Sequence, residues 1–370
     1  MSFRLNSRLS PTDIKYCQAP HIHRLPVELL QHVFVLSVND EPDYPSIFLC
    51  GEKSISANFA SPPLLFTQVC HLWRFIAHST PGIWSFIRVA FPGCAEPLKP
   101  FLPSLLHFWL TCSGSRPLTL RILSKRIPYP VRFGCREVLC RDKFSEADSQ
   151  LFEILLAESK RWETVAIMSH LHKNWSHNID TPKLRSLEYP YVEDLNRFDA
   201  PNLSHLHIGP MCQFDGPLPT RNLNNIRHLY LQKSSSAIIH TSLAIFPRLE
   251  SIVAQRIIPD DRAGTSVTHS CLESMTLPLP DPDYRDRFIQ IFDGFHVPVL
   301  QKLTLAGTPT VLHVDCIAAA LAVTSCNVQR VHFQVTTPSR DWEVDMHTIV
   351  DPLLSVVEEV EVICCPVPCK

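Results

Sequence analysis

Histidines are the side chains of this sequence whose type and spacing could do chemistry: His205 and His207 stand two apart in HLHI, and His228 opens the related segment HLYL. Imidazoles that meet on neighbouring strands could hold a divalent metal, but such sites complete their shells with cysteine or carboxylate. Neither is expected in register with these histidines, so a solvated polar face is the expected reading and a metal centre the alternative. The 14 cysteines do not alter this, because Cys364-Cys365 and Cys369 form the only close group and C-x-x-C does not occur. Catalytic signatures are also missing: H-E-x-x-H, G-x-S-x-G, a Gly-rich phosphate loop and the dinucleotide fingerprint. With 10 glycines in 370 residues, tight backbone approach to a phosphate has few sites. No catalytic residue and no cofactor is therefore expected, and the chemistry left to these side chains is recognition.

Recognition needs a scaffold that sets side chains in rows. The form apolar-x-x-apolar-x-apolar recurs eight times, at Leu184/Leu187/Tyr189, Leu203/Leu206/Ile208, Ile226/Leu229/Leu231, Leu249/Ile252/Ala254, Leu272/Met275/Leu277, Leu300/Leu303/Leu305, Val328/Val331/Phe333 and Val357/Val360/Val362. Successive first positions are 19, 23, 23, 23, 28, 28 and 29 residues apart, the period of stacked one-strand repeats. Pro182, Pro201, Pro247 and Pro298 each precede a first position by two residues, marking a fixed corner. The longer repeats have room for a return helix, with candidates at Asp283 to Phe292 (Tyr284, Phe288, Ile291 and Phe292 on one face) and at Asp315 to Thr324. The shorter repeats are expected to return by a loop or tight turn. No copy buries enough apolar surface to fold singly, so neighbours must share a core. The x positions then place His205, His207, His228, Tyr230, Gln232, Thr276, Lys302, Thr304, Arg330 and His332 on one face. Tyrosine and arginine on rigid strands suit a binding surface, against the plainer reading that strand faces in water are polar.

Upstream, Leu29, Leu30, Val33 and Phe34 recur at helical spacing, as do Leu65, Phe66, Val69, Leu72, Trp73, Ile76 and Ala77. Pro26 suits a first helical turn, and Ser79-Thr80-Pro81-Gly82 stops the second helix. Between the helices, Asn39 to Phe59 is rich in Asp, Pro, Ser and Gly and reads as a surface loop. From Trp84 the chain reads strand (Trp84 to Val89), helix (Leu105, Leu106, Trp109, Leu110), strand (Leu118, Leu120, Ile122), helix and strand (Trp162, Val165, Ile167). Ser145-x-x-Asp148 is a candidate capping box before Leu151, Phe152, Leu155 and Leu156.

Leu25-Pro26, Glu28-Leu29-Leu30, Val33-Phe34, Val69-Cys70, Leu72-Trp73-Arg74 and Pro81-Gly82-Ile83-Trp84 together resemble the F-box, in the version of fungal F-box-like proteins with leucine-rich repeats behind it. The segment between the two helices is longer than in a compact F-box. From about Arg116 to Cys365 the repeats resemble the leucine-rich repeat family. They depart from it where that family carries asparagine or cysteine, eight residues after the first leucine: here stand Val192, Met211, Ser234, Ile257, Pro280, Thr308, Thr336 and Cys365, so no buried asparagine ladder is expected. The resemblance implies an α/β chain: a loose terminus (1–20), an F-box-like domain (21–90) with an internal loop (39–59), and an irregular leucine-rich repeat solenoid (91–370) with parallel strands on the concave face and helices and loops on the convex face.

It further implies docking to the Skp adaptor subunit, and through it a cullin ubiquitin ligase, by Leu25, Pro26, Leu29, Leu30, Val33, Phe34, Val69, Cys70 and Trp73. The concave-face residues His205, His207, His228, Tyr230, Lys302, Arg330 and His332 would hold a protein substrate. A scaffold that binds Skp without a cullin is one alternative; another is that the helices are only a cap on the end of the repeats. The formal charge of −2 and the lack of a basic run argue against nucleic acid or an anionic membrane as partner. No apolar run reaches the ~18 residues of a membrane span and no signal segment opens the chain, so reduced cysteines in the cytoplasm or nucleus are expected.

Overall fold

The computed structural model of the chain describes residues 21–39, 46–50, 55–91, 99–124, 146–167, 178–190, 192–209, 223–259, 266–279, 285–323, 326–335 and 349–364. The helical module comes first, with α1 (Val27–Asn39), the short strands β1 (Phe48–Cys50) and β2 (Ile55–Ala57), then α2 (Phe66–Val69) and α3 (His71–His78). Next are β3 (Phe86–Phe91), α4 (Phe101–Cys112), β4 (Leu118–Ser124), α5 (Glu146–Leu156), β5 (Trp162–Ile167), β6 (Ile179–Asp180), β7 (Ser186–Tyr189), β8 (Phe198–Asp199), β9 (His205–Ile208) and β10 (His228–Leu231). The chain continues with α6 (Ser236–Ile245), β11 (Ser251–Ala254), β12 (Val267–Thr268), β13 (Ser274–Pro278), α7 (Arg285–Phe292), β14 (Phe295–His296), β15 (Lys302–Ala306), α8 (Val311–Val323), β16 (Arg330–Val335) and β17 (Glu359–Cys364).

Alternation decides what these strands build. In β7, β9, β10 and β11 every second side chain is buried. A one-residue slip would turn the whole apolar set to water, so the pattern locks the register. Among the described residues eleven strands form one parallel sheet in the order β3-β4-β5-β7-β9-β10-β11-β13-β15-β16-β17, each pairing with its neighbour in the sequence of rungs. The middle apolar residues of the repeats line up from Leu187 through Leu206, Leu229, Ile252, Met275, Leu303 and Val331 to Val360. Three more rungs precede them, with Ile87, Leu120 and Val165 in the same row. The result is an α/β chain with a long parallel sheet, stacked in the manner of a solenoid.

The proline corners have a definite geometry. Leu184, Leu203, Leu249 and Leu300 donate their backbone N–H to the carbonyls of Thr181, Ala200, Phe246 and Val297, three residues back. Each proline sits at the second position of such a turn, where its fixed φ is already right. Asn202 and Asn225 extend this by donating side-chain N–H to the carbonyls of Pro182 and Pro201, both at 2.7 Å. These two asparagines link successive corners, one position before the first leucine or isoleucine. At the position of the family's ladder, Ser234 is buried and forms a parallel backbone bridge to Ile257, while Met211, Pro280, Thr336 and Cys365 lie outside the described residues.

The rung starting at Leu272 has no proline, and His269 makes its corner. Its Nδ1 accepts from the N–H of Cys271 at 3.3 Å and of Leu272 at 3.1 Å, while Nε2 lies 3.0 Å from the carbonyl of Phe246. Since Nδ1 accepts, the proton belongs on Nε2, which donates to that carbonyl. A side chain thus replaces the backbone carbonyl of the other turns and ties two rungs together.

Three expectations need correction. The 23-residue repeat starting at Ile226 returns through a helix, α6, capped by Ser235, whose hydroxyl accepts from Ile238 N–H. The segment 39–59 is more than a surface loop: β1 and β2 pair antiparallel, and Ile47 and Phe48 are buried. Residues 40–45 and 51–54 of it lie outside the described residues, as do Ser145 of the capping box, Tyr284 and the terminus 1–20. The last return helix, α8, begins at Val311, four residues before the expected Asp315.

Among the described residues one edge of the sheet is paired and the other carries charge. At the first edge Ile47 donates its N–H to the Arg88 carbonyl at 2.9 Å, and Ala90 donates to the Ser46 hydroxyl at 3.1 Å. The segment ahead of β1 therefore satisfies backbone groups that an open edge would leave unpaired. The last strand, β17, carries exposed Glu359 and Glu361. Trp84 joins module to sheet: fully buried, it donates from Nε1 to the Ala77 carbonyl at the end of α3 at 2.8 Å and meets Trp109 of α4 edge-on at 5.1 Å. It also holds the first-apolar position of the first rung, which extends the repeat pattern to the helical module itself.

Candidate functional site

In the helical module the chain uses two apolar faces where an isolated surface helix uses one. Leu30, Phe34 and Val38 of α1 point inward; Phe34 stacks on Phe66 at 4.2 Å and lies 5.0 Å from the half-buried Trp73. With Ile76, Ala77, Ile83 and Trp84 they join the core that runs on into the sheet. The opposite side of α1 carries Leu29, Val33 and Leu36 at i, i+4 and i+7, all exposed, Leu29 by 51%. On α2 and α3, Val69 is 51% exposed, Phe75 67%, and Leu72 is exposed as well. Leu25 and Pro26 lie exposed at the start of α1.

The residues expected to dock thus divide. Leu25, Pro26, Leu29, Val33 and Val69 face outward, whereas Leu30 and Phe34 are 0% exposed and serve as core, out of reach of a partner. Trp73 belongs mainly to the core cluster. Cys70 acts locally, as N-cap of α3: its Sγ accepts from Trp73 N–H at 3.4 Å, which explains the spacing Cys-x-x-Trp. Sequence reasoning does not single out Leu36 or Phe75 as contacts, although the i, i+4, i+7 series from Leu29 contains the signal for the first.

The solvent face of the sheet has two rows of side chains. One runs Phe86, Thr119, Thr164, Ser186, His205, His228, Ser251, Ser274, Lys302, Arg330, Glu359. The other runs Arg88, Arg121, Ala166, Glu188, His207, Tyr230, Val253, Thr276, Thr304, His332, Glu361. All seven residues expected on the recognition face stand in these rows, but not together: the His205 to Tyr230 group is separated from Lys302, Arg330 and His332 by two rungs of Ser, Val and Thr.

In the first group the rings lie in pairs. His205 is 4.3 Å from His228, and His207 stacks on Tyr230 at 5.1 Å. Serine hydroxyls flank the first pair, Ser204 Oγ 2.9 Å from His205 Nδ1 and Ser251 Oγ 2.8 Å from His228 Nδ1. Partial burial, then the neighbouring His228 and His207, hold the His205 imidazole below its usual range. Burial and the carboxylate of Glu188 push the Tyr230 hydroxyl up. In the second group Arg330 is exposed and Lys302 half-buried, while His332 is only 7% exposed with Nε2 3.3 Å from Glu361 Oε2. Burial, reinforced by Lys302, lowers the His332 pKa in spite of Glu361.

Contrary to expectation a carboxylate does stand in register with the histidines, Glu188 beside His207, yet among the described residues no three His, Cys, Asp or Glu side chains converge to hold a metal ion, and Cys70, Cys112, Cys271, Cys316 and Cys326 carry no disulfide. No helix among them is long and apolar enough to cross a membrane. At the module end of the solvent face lies a hollow of about 360 Å³, bounded by Val38, Phe86, Arg121, Ala166, Glu188 and His207 among others. The chain matches no protein-family model and no curated protein.

Proposed function

We propose that this chain is a non-enzymatic substrate adaptor: the helical module acts as an F-box that docks on a Skp subunit, and the repeat sheet, acting as leucine-rich repeats, holds a protein substrate for a cullin ubiquitin ligase of the cytoplasm or nucleus. One observation carries the reading. The module's inner face already closes the end of the sheet, and α1, α2 and α3 still leave Leu29, Val33, Leu36, Val69, Leu72 and Phe75 exposed. Capping alone accounts for the buried face and gives no reason for the second. Exposed apolar sets of this kind mark interaction surfaces. The Trp84 joint suits such an adaptor, since a rigid link turns substrate binding into high effective concentration at the ligase.

The test is co-expression with Skp and cullin followed by affinity purification. Skp and cullin should be retained by the intact chain, and Skp should be lost from a Leu29→Ala/Phe75→Ala variant. Failure of the intact chain to retain Skp would overturn the proposal, and Skp without cullin would make the protein a scaffold instead of a ligase subunit.

A further inference from the structure

The hollow beside the helical module is built by a local change of side-chain size. Arg121, Ala166 and Glu188 stand in register on β4, β5 and β7. Strands lie about 4.8 Å apart, so Arg121 and Glu188 arise about 10 Å from each other with only a methyl group between them. In the adjoining row Thr119, Thr164 and Ser186 are short and bear hydroxyls. Val38 from α1 and Phe86 from β3 form an apolar wall. At about 360 Å³ the space is in the range of ligand pockets and has room for one or two amino-acid side chains.

Arg121 gives this space its chemistry. It is half-buried, and among the described residues its side chain makes no hydrogen bond or ion pair. Two arginines that arise beside acids use them: Arg185 meets Glu163 at 3.7 Å and Arg227 pairs with Glu250. Arg121 has instead Arg88 directly opposite on β3. A guanidinium in a partly apolar recess, beside three hydroxyls, is a receptor for an anion. The far wall, Glu188 beside His207, repels extended negative charge and so favours a ligand with a single anionic group over a polyanion.

We propose that this hollow receives one anionic side chain of a bound peptide, a carboxylate or a phosphoryl group, with Arg121 as its counter-charge and the space over Ala166 holding its stem. Only the peptide's origin in a substrate rests on the adaptor reading; anion binding itself does not.

The experiment uses the full chain and four pools of fluorescent peptides, degenerate except for a fixed central Glu, phosphoserine, Ser or Lys, with binding read by anisotropy. Saturable preference for the Glu or phosphoserine pool over the Ser pool is expected, and the stronger of the two arms identifies the anion. Arg121→Gln and Ala166→Leu, the second filling the hollow without touching charge, should each weaken that binding about tenfold or more. Arg248→Gln, exposed and outside both rows of the solvent face, should leave it unchanged. No preference for either anionic pool, no effect of Ala166→Leu in a variant with an unchanged melting temperature, or an equal loss in Arg248→Gln would overturn the proposal. Skp retention by the same preparations reads the adaptor role separately, so the two ideas can fail independently.

Discussion

Replacing Leu29 and Phe75 by alanine separates docking from folding, because both side chains stand mostly outside the core. Full burial of a Leu or Phe side chain contributes about 1.5–3 kcal/mol. Leu29 is 51% exposed and Phe75 67%, so covering what is open adds about 0.8–1.5 and about 1–2 kcal/mol respectively. They lie on different helices, and if their effects add, the double variant loses about 1.8–3.5 kcal/mol, roughly 20- to 300-fold in Kd for Skp. Isothermal titration with purified Skp measures this, and circular dichroism before and after checks that the helices persist. Leu30→Ala supplies the contrast: a fully buried leucine is lost, about 2–5 kcal/mol of stability goes with it, and the module should loosen whatever happens to binding. A folded double variant that binds Skp within twofold of the parent would refute the assignment of the outward face.

Other outcomes follow from individual contacts. His269→Ala should destabilise the chain by about 1–3 kcal/mol in urea denaturation, since two backbone N–H groups lose their acceptor, and His269→Asn should recover part of this because an Asn carbonyl can accept from nearby N–H groups. His205 and His332 should titrate below 6.5 when their ring protons are followed by NMR against pH. With folded pKa values lowered, the unfolded chain takes up these protons first, so stability should fall as pH drops below 6.5 and be unaffected by these groups well above it. A His332 midpoint above 6.5 would mean that the Glu361 carboxylate outweighs burial. Trp84→Phe keeps the ring packing but leaves the Ala77 carbonyl with only the longer, 3.3 Å bond from Thr80 N–H; about 0.5–1.5 kcal/mol should be lost, with faster amide exchange in α3 before the distant rungs are affected.

The rungs were legible in the sequence because two independent signals agree there: alternation that permits one register only, and prolines that fix where each strand begins. The first rungs were harder to count as repeats because Trp84 and Trp162 stand where later copies have Leu, Ile or Val. The helix α6 has apolar residues on most of its circumference (SAIIHTSLAI), so no polar stripe announces it in a repeat short enough for a loop. The same ambiguity explains the docking residues. Along α1, Leu29 and Leu30 are equally apolar, and which one turns inward is decided by Phe66 and Trp73, tens of residues away. The hollow over Ala166 depends on a small residue flanked by an unlike pair on neighbouring strands, and that becomes visible only once the rungs are aligned.

A stack of parallel rungs is an open-ended object, and another molecule's strand could in principle extend it from either terminus. Here the segment ahead of β1 occupies one terminus, while carboxylates at Glu359 and Glu361 charge the other. Head-to-tail joining of two copies would have to displace the first and desolvate the second. Crowding many copies together is therefore resisted along the strand-stacking axis by both features, each copy keeping the eleven rungs of its described residues to itself.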